Sequence, residues 1–225
     1  MIVPVNTILF DMDNTLFDLV EAQIAACTAV VGALGRADGN HLFEQYFRSG
    51  RHGFESHENI LDYLGDHNIP EEGNYHRLRR IYETVKLDTV AAYEGVDSTL
   101  WELREHGYHM GVITDAHSRD ATRRLEKTGL LPHFEGMVTF DMVMIKKPAP
   151  EPFLCALDMM KATSGSAIVV GDSPRRDIKP ARDLGIRTVY ARYGDRFSQE
   201  RKCPEADFCI NKMPELLSVI RGLAE

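Results

Sequence analysis

Residues 5–10 (V-N-T-I-L-F) are mostly apolar and end abruptly at the polar run Asp11-Met12-Asp13-Asn14-Thr15. A short apolar run bounded in this way predicts a strand buried on both faces. From Asp18 the spacing changes. Val20, Ile24, Cys27, Val31 and Leu34 follow one another at three- and four-residue steps until Gly35. That stripe predicts a helix with one buried side, and glycine is a common helix stop. Helical spacing persists through residues 40–92, in the groups Phe43/Tyr46/Phe47, Ile60/Leu61/Leu64 and Leu78/Ile81/Val85. Turn residues divide these groups at Ser49-Gly50, Asn68-Ile69-Pro70 and Glu72-Gly73-Asn74.

Beyond Glu94-Gly95 the pattern alternates. Helices are predicted over 96–106, 118–129, 151–161 and near 179–184, and a last one presents Met213, Leu216, Leu217, Ile220 and Leu223 on one face. Strands are predicted over 109–114, 136–140, 167–171 and 187–191, with an edge strand at 207–210. Strands alternating with helices imply an α/β fold, a parallel sheet with helices on both faces. The block at 17–92 interrupts the alternation after the first strand and reads as an inserted all-helical cap, leaving a core of 1–16 and 93–225. The polar stretch 193–205 reads as a surface loop.

Four short signals fall at the carboxyl ends of predicted strands, the edge where parallel sheets bind ligands. They are Asp11-x-Asp13-x-Thr15, Thr114, Lys147-Pro148 and Gly171-Asp172-Ser173-x-x-x-Asp177. Each alone could be turn or helix-cap chemistry. Their order is the signal. The stretches Phe10-Asp11-Met12-Asp13-Asn14-Thr15-Leu16, Lys147-Pro148-Ala149-Pro150-Glu151-Pro152-Phe153 and Val170-Gly171-Asp172-Ser173 resemble the haloacid dehalogenase-like hydrolase superfamily, in the group with a helical cap between the first and second motifs. The likeness covers nearly the whole chain. It implies a Rossmann-like core, magnesium and an aspartyl-enzyme intermediate, and it leaves the substrate to be argued from the site.

The resemblance implies Asp11 as nucleophile, with the Asp11 and Asp172 carboxylates and the Asp13 main-chain carbonyl as magnesium ligands. A carboxylate can attack phosphorus only where cations screen the repulsion between two anions. Asp13 would protonate the leaving group and later take a proton from water. Thr114 would donate its hydroxyl to a phosphoryl oxygen, Lys147 would balance charge on the phosphoryl group and Asp11, and Asp177 would brace Lys147 or the metal. Lys146 competes with Lys147 for that role, and the lysine–proline pairing favours Lys147. After the second-motif threonine the family often carries a neutral residue such as asparagine. Here it is Asp115, whose carboxylate is expected to turn away and leave its main-chain amide toward the phosphate. Arg48, Arg51, His52 and His117 are candidates for substrate contact, weighed against ordinary solvated helix ends.

At 225 residues, 44% hydrophobic and 27% charged, the chain suits one substantial globular domain carrying a smaller insertion. A net charge of -8 argues against a nucleic-acid partner, which needs a basic face. An acidic chain that handles phosphate must concentrate positive charge locally or borrow it from a metal ion. No apolar run approaches the roughly 20 residues that span a bilayer, and residues 1–6 do not read as a signal peptide, so a cytoplasmic protein without membrane partners is expected. Cys27, Cys155, Cys203 and Cys209 form no C-x-x-C pair and suggest neither disulfide nor zinc. The expected activity is magnesium-dependent hydrolysis of a small phosphorylated metabolite. A phosphomutase or a dehalogenase of the same family, and a non-catalytic phospho-signalling module, are the alternatives. Dehalogenation would need neither the Asp13 proton nor magnesium, and signalling receivers lack a cap.

Overall fold

The computed structural model describes residues 4–49, 51–197 and 205–224. Met1–Val3, Gly50, Cys203 and most of the expected 193–205 loop lie outside the described residues. Strand β1 (Thr7–Phe10) is followed by the helical insertion: α1 (Leu19–Gly32), α2 (Gly39–Leu42) running into a π-helical turn (Phe43–Phe47), α3 (Glu58–Asp66) and α4 (Tyr75–Thr89). The chain continues through α5 (Val96–Glu105), β2 (His109–Ile113), α6 (Ser118–Lys127), β3 (Gly136–Val138), α7 (Phe140–Val143) and α8 (Glu151–Met159). It ends with β4 (Ala167–Gly171), a π-helical turn (Pro174–Ile178), α9 (Lys179–Asp183), β5 (Arg187–Ala191), β6 (Phe208–Ile210) and α10 (Glu215–Ala224).

All six strands run parallel in the order β3-β2-β1-β4-β5-β6. The order reverses between β1 and β4, and such switch points open a crevice at the carboxyl ends of the flanking strands. Register fixes what meets there. Phe10 pairs with Val112 on one side and Val170 on the other, so Asp11, Thr114 and Asp172 emerge at nearly the same height. Beneath them Leu9, Ile113, Val138, Phe153, Val169 and Ile186 form a buried cluster. β1 and β4 are buried along their whole length, as their mostly apolar sequences predict.

The chain forms two compact units, one of Met1–Asp18 with Ala91–Glu225 and one of Leu19–Val90. Phe17 and Ala92 form an antiparallel bridge, and the Tyr93 amide donates to the Leu16 carbonyl at 3.0 Å. Within the helical unit Val20, Cys27, Val31, Phe43, Phe47, Tyr63 and Tyr82 are buried together, with Phe47 stacked on Tyr82 at 4.8 Å. One expected strand is shorter than its sequence suggested. β3 stops at Val138, because the Phe140 amide donates to the Ala116 carbonyl and the chain turns there into α7.

Candidate active site

β1 ends with the Asp11 amide donating to the Val170 carbonyl at 2.8 Å. The chain then turns tightly: the amides of Thr15 and Leu16 both donate to the Met12 carbonyl, and Asn14 adopts a left-handed φ of 65°, which asparagine tolerates better than most residues. This turn brings the Thr15 hydroxyl to 2.9 Å from Asp11 Oδ2. The other oxygen, Oδ1, accepts from Lys147 Nζ at 2.5 Å. Lys147 also donates to Asp177 Oδ1 at 2.6 Å and to the Ile113 carbonyl at 3.1 Å, so each of its three protons has an acceptor. Its side chain is 1% exposed. Burial works against that charge, but Asp11 and Asp177 outweigh it and hold the ammonium above its ordinary value.

Gly171 explains how Asp177 fits. A β-carbon at Gly171 would lie 2.5 Å from the Asp177 β-carbon, so the glycine of the Gly171-Asp172 pair makes room for the carboxylate that braces Lys147. The Ser173 amide donates to the second Asp177 oxygen at 3.0 Å. Asp172, one residue after β4, is buried, and its Oδ1 has no hydrogen-bond partner among the described residues. Burial first, then the neighbouring charges of Asp11 and Asp177, push its carboxyl well above the usual range. Carboxylate oxygens of Asp11, Asp172 and Asp177 lie within 4.8 Å of one another. A buried carboxylate with an unpartnered oxygen beside two others is costly in ionised form unless a cation joins them, and an all-oxygen set suits a hard divalent ion. The residues present fit such an ion.

Asp177 completes the side-chain cluster, and the Asp13 side chain turns to a separate partner. Both Asp13 oxygens accept from Arg124 Nη1, at 2.8 and 2.9 Å, and the Arg124 side chain is 3% exposed. Arg124 was not singled out from the sequence, although a signal existed: it occupies the buried stripe of α6 between Ala121 and Leu125, where an apolar residue belongs.

Thr114 is buried at the end of β2, and its oxygen accepts from the Ala116 amide at 3.1 Å, a contact that leaves the hydroxyl proton to point elsewhere. Asp115 turns its side chain aside: Oδ1 accepts from the Lys147 amide at 2.9 Å, and Oδ2 faces Arg176 Nη1 at 3.6 Å. Arg176 is the second residue missed from sequence, and the uncompensated negative charge of Asp115 was its only hint. Lys146 Nζ lies 5.1 Å above the Phe140 ring, away from the carboxylates that Lys147 serves, and the His117 ring packs edge-on against Phe140. Arg48, Arg51 and His52 pair within the helical unit, with Glu44, with Asp62, and with Glu58 and Asp62 respectively. Cys27 and Cys155 are free thiols, and no helix among the described residues is long and apolar enough to cross a membrane.

Comparison with known proteins adds the family. Residues 8–191 match the model of the haloacid dehalogenase-like hydrolases. The chain is 28% identical to pyrophosphatase PpaX of Bacillus pumilus, over 96% of each chain. It is also 28% identical to glyceraldehyde 3-phosphate phosphatase of Methanocaldococcus jannaschii, over 97% of this chain and 98% of that one. The HAD-hydrolase YfnB of Bacillus subtilis, solved with bound magnesium, superposes with a TM-score of 0.78 at 19% identity, over 97% of this chain and 99% of that one, a likeness of fold. With its motifs gathered at one switch point of a parallel sheet and its helical insertion after the first strand, the chain belongs to the haloacid dehalogenase-like hydrolase family.

Proposed function

We propose that the protein is a magnesium-dependent phosphatase that hydrolyses a small phosphorylated metabolite through an aspartyl-phosphate on Asp11. One observation carries the reading: the buried meeting of Asp11, Asp172 and Asp177 with Lys147, in which Asp172 keeps an unpartnered oxygen. Charge supports it. With all groups ionised, Asp11, Asp115, Asp172 and Asp177 face Lys147 and Arg176 among the described residues, leaving two negative charges that one divalent cation would balance. Asp11, Asp172 and the Asp13 carbonyl would hold that magnesium ion, which when bound supplies charge neutralisation for an incoming phosphate. The names of the relatives point the same way, since both curated ones are phosphatases of small molecules.

The chain's own residues then divide the work. Thr15 and Lys147 each take one oxygen of Asp11, which fixes the carboxylate so that attack needs no search over rotamers. An Asp11 oxygen bonds to phosphorus as the bond to the leaving oxygen breaks. Asp13 delivers a proton to that oxygen, then accepts one from the water that frees phosphate from Asp11. The Arg124 contact fixes the position of the Asp13 carboxyl group for both transfers. Thr114 and the Asp115 amide bind phosphoryl oxygens. Halide displacement would leave Asp13 without a task, which disfavours the dehalogenase alternative. The division carried forward with this reading is a core of 1–16 and 93–225 and a cap of 17–92. Phosphate release from an aryl phosphate is expected only with magnesium, and chelation or Asp11→Asn should abolish it. Undiminished release by the Asp11→Asn protein would remove the proposed nucleophile. A panel of phosphorylated metabolites then identifies the substrate.

A further inference from the structure

Among the described residues, Lys147, Arg124 and Arg176 stand at the site, and the first two hold carboxylates through hydrogen bonds. Lys147 spends its three protons on Asp11, Asp177 and the Ile113 carbonyl, and Arg124 grips both oxygens of Asp13. Arg176 differs. Its guanidinium makes no hydrogen bond among the described residues; its nearest acceptor is Asp115 Oδ2 at 3.6 Å, beyond hydrogen-bonding distance. Its side chain is 35% exposed. Two features hold it in place. The Arg176 amide donates to the Ser173 hydroxyl at 3.2 Å, which fixes its backbone. Asp115 is itself anchored through Oδ1 on the Lys147 amide, so it offers Arg176 a stationary charge. An arginine side chain stays charged in any protein environment.

A guanidinium presents five donors in a planar fork that matches the two oxygens of a carboxylate or phosphoryl group. Here that fork is anchored through its backbone, faces Asp115 without a hydrogen bond, and has donors left over for a ligand. We propose that Arg176 is a specificity-determining residue that binds a second anionic group of the substrate, phosphoryl or carboxylate, adjacent to the phosphoryl group transferred to Asp11. The inference rests on the phosphatase reading above and narrows it to small phosphorylated compounds with two anionic ends.

The test compares kcat/KM for pyrophosphate, phosphoglycolate and para-nitrophenyl phosphate, with magnesium, in wild type, Arg176→Lys and Arg176→Met. Pyrophosphate and phosphoglycolate separate a second phosphoryl group from a carboxylate, and the aryl ester carries one anionic end only. In Arg176→Met the ratio of kcat/KM for the preferred two-anion substrate to that for the aryl ester should fall about 10- to 100-fold, the effect of losing charge-assisted hydrogen bonds. Arg176→Lys, which keeps the charge and loses the fork, should fall between. A ratio unchanged within about twofold in both variants, even with both substrates slowed, would overturn the proposal and leave Arg176 as charge balance for the cluster. So would a wild type that cleaves the aryl ester and neither two-anion compound. A wild type inactive on all three would refute the phosphatase reading itself. Should Arg176→Met fail to fold, methylenediphosphonate inhibition of aryl ester cleavage decides: its Ki should rise at least about tenfold in Arg176→Lys, and an unchanged Ki counts against the proposal.

Discussion

Lys147 is a single ammonium between two carboxylates, with every proton placed and almost no exposed surface. Removing one partner of a buried ion pair leaves charge uncompensated, so Lys147→Met should lower stability by about 3–5 kcal/mol in the magnesium-free protein. Urea denaturation measures this, and an unshifted midpoint would contradict the picture of Lys147 as the clamp on Asp11 and Asp177. Asp13→Asn should slow turnover by roughly 10²–10⁴-fold, the usual contribution of a positioned proton-transfer group, while calorimetric magnesium binding persists. An unchanged rate would take proton transfer away from Asp13. Sequence placed Asp13 just past a strand and Lys147 before a helix because chain order and residue type suffice for that. It could not place Arg124 and Arg176 beside Asp13 and Asp115, since each pairing joins side chains from separate elements and depends on the register of the sheet.

At the scale of elements, close approach matters more than propensity. Gly171→Ala would set a β-carbon against Asp177 at 2.5 Å, and Asp177 cannot yield without releasing Lys147. The variant should therefore lose activity together with thermal stability, and a protein of wild-type rate and Tm would show that the loop gives way freely. In the helical unit, Glu83 accepts from His57 at 2.5 Å and from Lys86 at 3.2 Å. Burial alone would raise its pKa, but the His57 hydrogen bond and the Lys86 charge bring it from the ordinary 4.5 down to about 2. A carboxylate lowered on folding stabilises above its unfolded value and loses that contribution as pH falls through the folded one. Glu83→Gln should thus lower Tm at pH 7, with the gap to wild type closing as pH drops from about 4.5 toward 2. A gap that stays constant over that range would mean the pairs contribute nothing. Periodicity predicted these helices because each buries a stripe. It overran β3, where one hydrogen bond from Phe140 to Ala116 redirects the chain, a long-range event with no local signature.

At the scale of the molecule, an acidic chain places several cations among the carboxylates of one crevice. The net charge is -8, yet Lys147, Arg124 and Arg176 are gathered around the strand ends where β1 and β4 diverge. Parallel pairing in register delivers Asp11 and Asp172 to that crevice from positions 161 residues apart, which is why the fold and the proposed chemistry are inseparable. Trapping the covalent species tests the account most directly. Acid quenching during turnover of an aryl phosphate with magnesium, followed by peptide mass spectrometry, should find one phosphoryl group on the peptide containing Asp11, labile to hydroxylamine and absent after chelation. Sustained turnover with the phosphoryl group on another residue, or with Asp11 replaced by asparagine at full rate, would contradict it.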